Sequence, residues 1–202
     1  MGIRLLAGLV VALIVAAAVA SAQVRVTGDS QAWAEVMAAY ERLAKLRTYR
    51  MKMTGQGQTT PALFEVVNPD RTRQVFQTGN ATLEMIIVGQ EIRYRLTGPG
   101  MSGTWLCQGA PPAGRPPPQP GKFEGEVTIS RLGESTVEGA RAQGYAYTMR
   151  TQGQTSKQRL FVLADGGLPR RVEVLDAGDQ VVGTLDYYDF NAPITIELPK
   201  CG

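Results

Sequence analysis

The residues best suited to covalent chemistry are two cysteines, Cys107 and Cys201. In an oxidising compartment, an even and minimal cysteine count predicts one intramolecular disulfide, which would tie the end of the chain to its middle. Two free thiols or an intermolecular bridge are the alternatives. An ordinary zinc site is excluded, because two cysteines without histidine supply too few ligands for zinc.

The chain contains no histidine, which limits the catalysis available to it. Histidine is the commonest general base and the usual partner of a Ser or Cys nucleophile, so triad hydrolysis and histidine-based metal catalysis are excluded. Catalysis by carboxylates alone, as in glycosidases, remains an alternative. Two acidic pairs alternate with apolar residues, which is the spacing of a solvated strand face. These pairs are Glu124 with Glu126 and Asp186 with Asp189. We therefore expect no catalytic residue, no metal and no cofactor.

A targeting segment is predicted at the N-terminus. Arg4 precedes an unbroken apolar run from Leu5 to Val19, and Ala20-Ser21-Ala22 supplies the small-x-small pattern of a signal-peptidase site. The run is shorter than the ~20 residues that span a bilayer, which favours a cleaved signal peptide (1–22) over an uncleaved anchor. No cysteine follows the site, so lipid attachment is not expected. We expect a protein of the periplasm or extracellular space, soluble and without a stable membrane span.

The mature chain, residues 23–202, is predicted to be one domain. Its length allows a sizeable core. Arg4 is the one charged residue of the signal segment, so 20 of the 21 basic residues remain against 18 acidic ones. A surplus of two positive charges does not favour a nucleic-acid partner.

One amphipathic helix and a series of strands are predicted. Apolar residues recur at three- and four-residue spacing over residues 30–46, after a cap at Asp29 or Ser30. From Tyr49 onward, apolar and polar residues alternate with period two in about ten segments, and one of the turns between them is placed at Gly133-Glu134. This pattern predicts an α+β fold, in which a curved antiparallel sheet, an incomplete β-barrel, wraps around the N-terminal helix.

A Pro-rich segment, Gly109 to Gly121, separates the strands into two groups. We interpret it as a surface connection between two halves of one sheet. A ligand for a proline-reading domain is the alternative, because such a segment favours extended polyproline geometry.

The predicted sheet is too wide for one helix to cover. A helix about 10–12 Å wide does not fill a large half-barrel with side chains alone, so we expect an apolar cavity open at one mouth. Such a cavity is the usual setting for an apolar ligand. Methionine suits its wall because it is flexible, although filling gaps in the core is the alternative for any single methionine. The predicted cavity residues are Trp33, Met37, Tyr40, Met51, Met53, Phe64, Val66, Met85, Ile87, Ile92, Tyr94 and Leu96.

Two C-terminal segments resemble those of a known family. One is Leu163-Ala164-Asp165-Gly166-Gly167-Leu168-Pro169-Arg170-Arg171, a turn before a basic strand, and the other, residues 187–199, contains a Tyr-Asp-Phe-Asn-x-Pro ending. Together with the order of elements, residues 29–199 resemble the bacterial lipoprotein-carrier superfamily of LolA, LolB, RseB and LppX. The resemblance implies an incomplete antiparallel barrel around an apolar cavity that binds acyl chains or lipidated proteins, without enzymatic activity. Unlike LolB and LppX, this chain has no lipid-attachment cysteine, and no family site residue carries over by position.

We therefore expect an exported binding or carrier protein that holds an acyl chain of a lipid or lipoprotein. The alternative is an envelope regulatory or protein-interaction module of the RseB type, in which the sheet or the Pro-rich segment contacts another envelope protein. Arg170 and Arg171 are interpreted as a solvated strand start, with a lipid-headgroup site as the alternative.

Overall fold

The computed structural model describes residues 24–58, 60–108, 125–151 and 154–202. The predicted signal peptide (1–22) and the Pro-rich segment Gly109 to Gly121 lie outside the described residues. One helix, α1 (Ser30–Lys45), and twelve strands are described. The strands are β1 (Val24–Gly28), β2 (Thr48–Gly55), β3 (Ala62–Val67), β4 (Arg71–Thr78), β5 (Ala81–Val88), β6 (Glu91–Thr97), β7 (Leu106–Gln108), β8 (Gly125–Val137), β9 (Ala140–Thr151), β10 (Gln154–Leu163), β11 (Pro169–Leu175) and β12 (Val181–Tyr188).

The helix α1 matches the helix predicted from the sequence. Asp29 is its N-cap, and the Oδ1 atom of this residue accepts a hydrogen bond from the backbone N–H of Ala32 at 2.9 Å. Arg42 and Lys45 lie in the last turn, where positive charge is favourable beside the helix dipole. The buried residues follow the three- and four-residue spacing and are Ala32, Val36, Ala39 and Leu43.

All twelve strands form one open sheet, in the order β1-β8-β9-β10-β11-β12-β2-β3-β4-β5-β6-β7. Because β12 pairs with β2, the meanders before and after the Pro-rich segment join into a single sheet, as predicted. The described sheet has twelve strands, whereas the sequence predicts about ten. The sequence also predicts a purely antiparallel sheet, but β1 pairs with β8 in parallel. Only five residues long, β1 is too short for its alternation to be recognised.

The strand β8 continues through Gly133-Glu134, where the sequence predicts a turn. Its pairing with β9 shifts register between Arg131 and Gly133, and Gly133 has a φ of 89°, so this glycine forms a β-bulge. The turn comes later, at Glu138-Gly139, where both residues have positive φ. The predicted turn is wrong because an isolated glycine is typical of bulges as well as turns.

The cross-strand register divides the residues of the sheet between two faces, because direct antiparallel partners point to the same side. Tyr145 partners Leu160, and this row continues through β11 and β12 to Met53 on β2. The hydroxyl of Tyr145 donates to Oε2 of Glu35 on α1 at 2.8 Å. We call the side that carries this row the helix face.

The helix α1 covers only part of the helix face. Its backbone lies near β8, β1, β10 and β11. A helix of 16 residues is about 24 Å long, whereas twelve strands spaced by about 4.8 Å span about 53 Å. Within the described part of the chain, the helix therefore leaves β4–β7 uncovered, and the sheet is not seen to wrap around it.

The C-terminal residues 189–202, which we call the strap, cross the opposite side of the sheet. Thr48 Oγ1 donates to the carbonyl oxygen of Ala192 at 2.6 Å, and Arg71 Nη1 donates to that of Ile196 at 2.9 Å. Thr48 and Arg71 alternate with helix-face residues along their strands and point away from α1. We call this second side the strap face. Ile196 is 3% exposed, so the strap buries apolar surface there.

The Tyr-Asp-Phe-Asn-x-Pro segment forms the corner where the chain leaves β12 and begins the strap. Asp189 and Asn191 both have positive φ, of 52° and 58°, which turns the chain sharply. Asp189 Oδ2 accepts from Arg50 Nη1 at 2.8 Å, and the N–H of Asn191 donates to the carbonyl oxygen of Thr48 at 2.8 Å. The role of this segment in the described structure is therefore to position the strap.

A disulfide fastens the strap to the edge of the sheet. Cys201 is bonded to Cys107 on β7, with a Cα–Cα distance of 5.8 Å, so the predicted intramolecular bridge is confirmed. β7 is three residues long and pairs with β6. The covalent bond therefore holds a short edge strand that has few hydrogen bonds of its own.

Replacing both cysteines, Cys107→Ser with Cys201→Ser, should lower the free energy of unfolding by up to about 4–5 kcal/mol, because the unfolded chain regains the entropy of an open loop. Denaturant unfolding with and without a reductant measures the loss. The wild type should lose stability on reduction and the double variant should not respond. Equal free energies of unfolding for the wild type and the double variant, measured without reductant, would contradict a stabilising role for the disulfide.

Candidate ligand-binding surface

The acidic residue Asp186 does not lie on a solvated face, and the expectation that it does is wrong. It is 3% exposed, and its Oδ1 accepts from Arg171 Nε at 2.5 Å. Lys52 Nζ lies 3.5 Å from its Oδ2. The cations come from β11 and β2, which neighbour β12, and alternation within one strand does not reveal such partners. Asp189 keeps 46% of its side chain exposed.

The basic pair at the start of β11 is also occupied within the protein. Arg170 donates to the carbonyl oxygen of Tyr187 at 2.6 Å and forms an ion pair with Glu138. Arg171 lies 3.2 Å from the same carboxylate. The two side chains are 18% and 26% exposed, so neither is a freely solvated strand start, and their guanidinium groups already bind anions of the chain.

A row of charged side chains crosses the strap face behind β3–β6. Glu84 accepts from Arg73 Nε at 2.7 Å and forms an ion pair with Arg95 Nη2 at 2.6 Å, while Arg73 Nη1 lies 3.2 Å from Glu65. The guanidinium carbon of Arg95 lies 4.7 Å from the ring centroid of Trp105. Burial opposes ionisation of Glu84, but hydrogen bonds and charge from Arg73 and Arg95 outweigh it and lower the pKa of Glu84.

The helix face of β2–β7 carries no charged side chain among its described residues. The part of this face on β4–β7 extends away from α1, and we call it the open wall. Its residues follow from the register with β3 and are Thr72, Gln74, Phe76, Thr78, Ala81, Leu83, Met85, Ile87, Ile92, Tyr94, Leu96 and Leu106. Eight of these twelve residues are purely apolar, so the open wall is a mostly apolar surface.

Exposure of the apolar side chains rises with distance from the helix. Met51 and Phe64, on the strands nearer α1, are 3% and 5% exposed. On the open wall Met85 is half-buried, and the exposure reaches 43% at Leu96 and 50% at Leu106. A contiguous exposed apolar surface is typical of a binding site.

The sequence-predicted cavity residues fall into two groups. Those near α1 belong to or pack against the core, and those beyond it lie on the open wall. Met51, Met53, Phe64 and Val66 are buried in the core cluster, Trp33 and Tyr40 pack against it, and Met37 is half-buried on α1. Met85, Ile87, Ile92, Tyr94 and Leu96 lie on the open wall. Contact of either group with a ligand stays a prediction.

The residues of the open wall that were not among the predicted cavity residues are Thr72, Gln74, Phe76 and Thr78 on β4, Ala81 and Leu83 on β5, and Leu106 on β7. The sequence of β4 mixes polar and apolar residues on both faces, so its alternation gives no clear assignment. The register supplies the missing signal, because Phe64 partners Gln74 and Gln74 partners Met85. Pairing the residues of β3 and β4 outward from the turn at Asn68 gives the same register and places Phe64 and Gln74 on one face.

The tyrosines beneath α1 are held in the neutral form. Burial, followed by the hydrogen bond to Glu35, raises the pKa of Tyr145 to about 12. The same hydrogen bond is the main cause that lowers the pKa of Glu35. Burial also raises the pKa of Tyr147 well above its ordinary value, and its hydroxyl donates to Gln158 Oε1 at 2.8 Å. The Tyr145 hydrogen bond joins the sheet to α1, and the Tyr147 hydrogen bond joins two neighbouring strands beneath it.

Two grooves lie away from the open wall. One of about 450 Å³ runs between α1 and the β9–β10 region and is lined in part by Glu35, Arg42 and Tyr145. The other, of about 590 Å³, adjoins it at Leu163 and Ala164. None of the predicted cavity residues lines either groove, so these grooves and the open wall are separate surfaces.

Over the described ranges, no group of three or more His, Cys, Asp or Glu residues is placed to hold a metal ion. In the same part of the chain, no helix combines the length and apolar character needed to cross a membrane.

Replacing Glu84 by Gln should destabilise the protein by about 2–3 kcal/mol at pH 7, because two guanidinium groups lose their charged acceptor behind the open wall. The lowered pKa of Glu84 means that its contribution is present above the unfolded pKa of about 4.3 and is lost as the pH falls through the folded value. Denaturant unfolding from pH 7 to pH 3 should therefore show the difference between variant and wild type shrinking.

The matched control is Glu126→Gln, whose carboxylate is 51% exposed and lies 3.7 Å from Arg25. This exposed pair should contribute less than about 1 kcal/mol at any pH. If the loss of unfolding free energy in Glu84→Gln did not change with pH, packing and not charge would explain the effect.

This chain is similar to known proteins in fold but not in sequence. No family model and no curated protein matches this chain by sequence. Lipoprotein LppX of Mycobacterium tuberculosis is similar in structure, with a TM-score of 0.57 and 16% identity, over 84% of this chain and 100% of that chain. The fold of this chain is therefore similar to the fold of LppX.

Two further similar structures align less closely. The Pseudomonas aeruginosa MucA/MucB complex gives a TM-score of 0.46 and 18% identity, over 80% of this chain and 56% of that chain. A LolA superfamily protein of Nitrosomonas europaea gives a TM-score of 0.26 and 12% identity, over 79% of this chain and 92% of that chain.

Proposed function

We propose that this chain is an exported binding or carrier protein that holds an acyl chain of a lipid or lipoprotein against the open wall. The observation that carries the proposal is the open wall itself, where apolar side chains run across four strands without a charged residue. Leu96 and Leu106 are exposed there, so part of the surface is accessible to a ligand. The LppX-like fold is consistent with this role.

The energy available on such a surface suits a hydrocarbon chain. Each methylene group removed from water contributes about 0.8 kcal/mol, so ten methylenes on the open wall would contribute about 8 kcal/mol before the costs of association. Half-buried Met85 adapts its shape to a flexible ligand more readily than a branched side chain does. The arrangement therefore favours a linear apolar ligand without demanding one chain length.

The proposal includes location outside the cytoplasm and one mature domain. Residues 1–22 have the pattern of a cleaved signal peptide, and residues 23–202 would form the domain. The disulfide between Cys107 and Cys201 supports an oxidising compartment, where such bonds persist.

A charge placed on the open wall should weaken ligand binding strongly. We expect Leu96→Asp to weaken binding of a fluorescent fatty-acyl probe at least tenfold, because the carboxylate must be desolvated beneath the hydrocarbon chain. Fluorescence titration of the protein purified after export to the periplasm of an expression host measures this affinity.

Leu63→Asp is the matched control. Leu63 is 45% exposed, much like Leu96 at 43%, but it pairs with Lys52 and Val75 on the strap face. The affinity of the Leu63→Asp variant for the fluorescent probe should stay within twofold of that of the wild type. Equal losses of probe affinity in Leu96→Asp and Leu63→Asp would show that the open wall is not the binding site. A wild type that neither binds the probe nor yields lipid on organic extraction would contradict the proposed function.

A further inference from the structure

The two ends of the first meander, β2–β7, differ in charge. Because neighbouring strands are antiparallel, every second connection lies at the same end of the sheet. At one end, Arg47, Asp70 and Glu91 lie in or directly beside the connections, and all three are exposed. At the other end, none of the three connections contains a charged residue. We call these three connections the rim, and its described residues are 56–58, 60–61, 79–80 and 98–105.

The connection between β6 and β7 carries the apolar residues of the rim. From Leu96 to Gln108 the chain has no charged residue. Met101, in the middle of this stretch, is 43% exposed, and its N–H donates to the carbonyl oxygen of Gly98 at 3.1 Å. Leu96 and Leu106, which flank the connection, are the exposed large apolar residues of the open wall. An uncharged apolar surface therefore continues from the open wall onto the rim.

The fold holds the base of this connection in place. The adjacent disulfide fastens β7 to the strap, and the N–H of Gly202 donates to the carbonyl oxygen of Trp105 at 3.3 Å. The ring of Trp105 lies against the guanidinium group of Arg95, whose charge is paired with Glu84. A connection with a fixed base presents Met101 with a smaller entropy cost on docking than a free segment would.

A lipid bilayer is the partner whose chemistry matches this charge pattern. Charged side chains resist transfer into a bilayer, whereas methionine and leucine are transferred readily and tryptophan is enriched at the bilayer surface. The uncharged polar side chains of the rim, such as Gln56 and Asn80, can stay hydrated among the headgroups. A protein interface excludes charge only at its core and has a polar edge, so it does not account for three separate connections without charge.

We propose that the rim docks this protein on the surface of a lipid bilayer, where Met101 enters the lipid and Leu96 and Leu106 contact it. The inference goes beyond the proposed function, because docking needs no ligand on the open wall. If the open wall holds an acyl chain, docking at the rim brings the exposed end of the wall against the bilayer. The acyl chain would then pass between membrane and protein without crossing water.

Flotation of the full exported protein with vesicles of pure phosphatidylcholine tests docking. The wild type should float with these neutral vesicles, and its binding should persist in about 0.5 M salt, because apolar contacts are not screened. Met101→Asp should lower the partition coefficient by about fivefold or more, since a carboxylate resists transfer from water into lipid. Its melting temperature should equal that of the wild type, because Met101 is exposed and lies outside the core.

Leu132→Asp is the matched control. Leu132 is 50% exposed, as much as Leu106, but it lies on β8 near the opposite edge of the sheet. The partition coefficient of this variant should stay within about twofold of that of the wild type, as for a surface change outside the contact. Equal losses in Met101→Asp and Leu132→Asp would overturn docking through the rim.

Tryptophan fluorescence shows which part of the protein meets the lipid. The chain has two tryptophans, of which Trp105 belongs to the rim and Trp33, on α1, packs against the core. Vesicles whose lipids carry bromine on the upper acyl chain should quench the fluorescence of the wild type, and Trp105→Phe should lose most of this quenching. Bound protein without quenching, or quenching that persists in Trp105→Phe, would overturn the proposal.

Two further outcomes would also overturn it. Binding that requires phosphatidylglycerol in the vesicles and disappears in about 0.5 M salt would show attraction by net positive charge instead. Absence of binding to either vesicle, in a protein that binds the fluorescent fatty-acyl probe, would favour a protein partner for the rim and leave the proposed function standing. Intact flotation without probe binding would contradict the proposed function and support docking alone.

Discussion

The helix α1 is much shorter than the sheet is wide, and this mismatch determines the character of each part of the sheet. Where the helix lies over β8–β11, side chains such as Leu160 are completely buried and Tyr145 donates a hydrogen bond across the contact to Glu35. Beyond its reach, the same apolar alternation continues on β5 and β6 without a helix above it in the described chain. One pattern therefore produces a core at one end of the sheet and an exposed apolar surface at the other.

A sheet that leaves one face open must be stabilised from the other. Behind β4–β7, Glu84 joins two arginines, and the strap buries Ile196 and ends in a bond to Cys107. Among the described residues of these strands, the charged side chains all lie on this side, where most of them form ion pairs with one another. This separation of charge from hydrocarbon allows the open wall to be both apolar and held in place.

Local patterns predicted the parts of the structure that depend on near neighbours in sequence. The periodicity and cap of α1 are visible within 17 residues, and the alternation in β5 and β6 places Met85 and Tyr94 on the correct face. The burial of Asp186 was not predictable in this way, because Lys52 comes from a strand far away in the chain. Thr72 and Gln74 were missed for a similar reason, since only their pairing with β3 and β5 shows which face they occupy.

The pairing of β2 with β12 has a consequence for the order in which the protein folds. The hairpins of β2–β6 join neighbouring segments and form from local contacts, whereas Met53 meets Leu185 only after the second meander is available. Contacts between such distant residues form slowly, because a long loop must close first. During that interval the first meander would present its hydrocarbon side to any chaperone of the same compartment, so the surface proposed to receive a ligand is also the one most exposed to aggregation in the nascent protein.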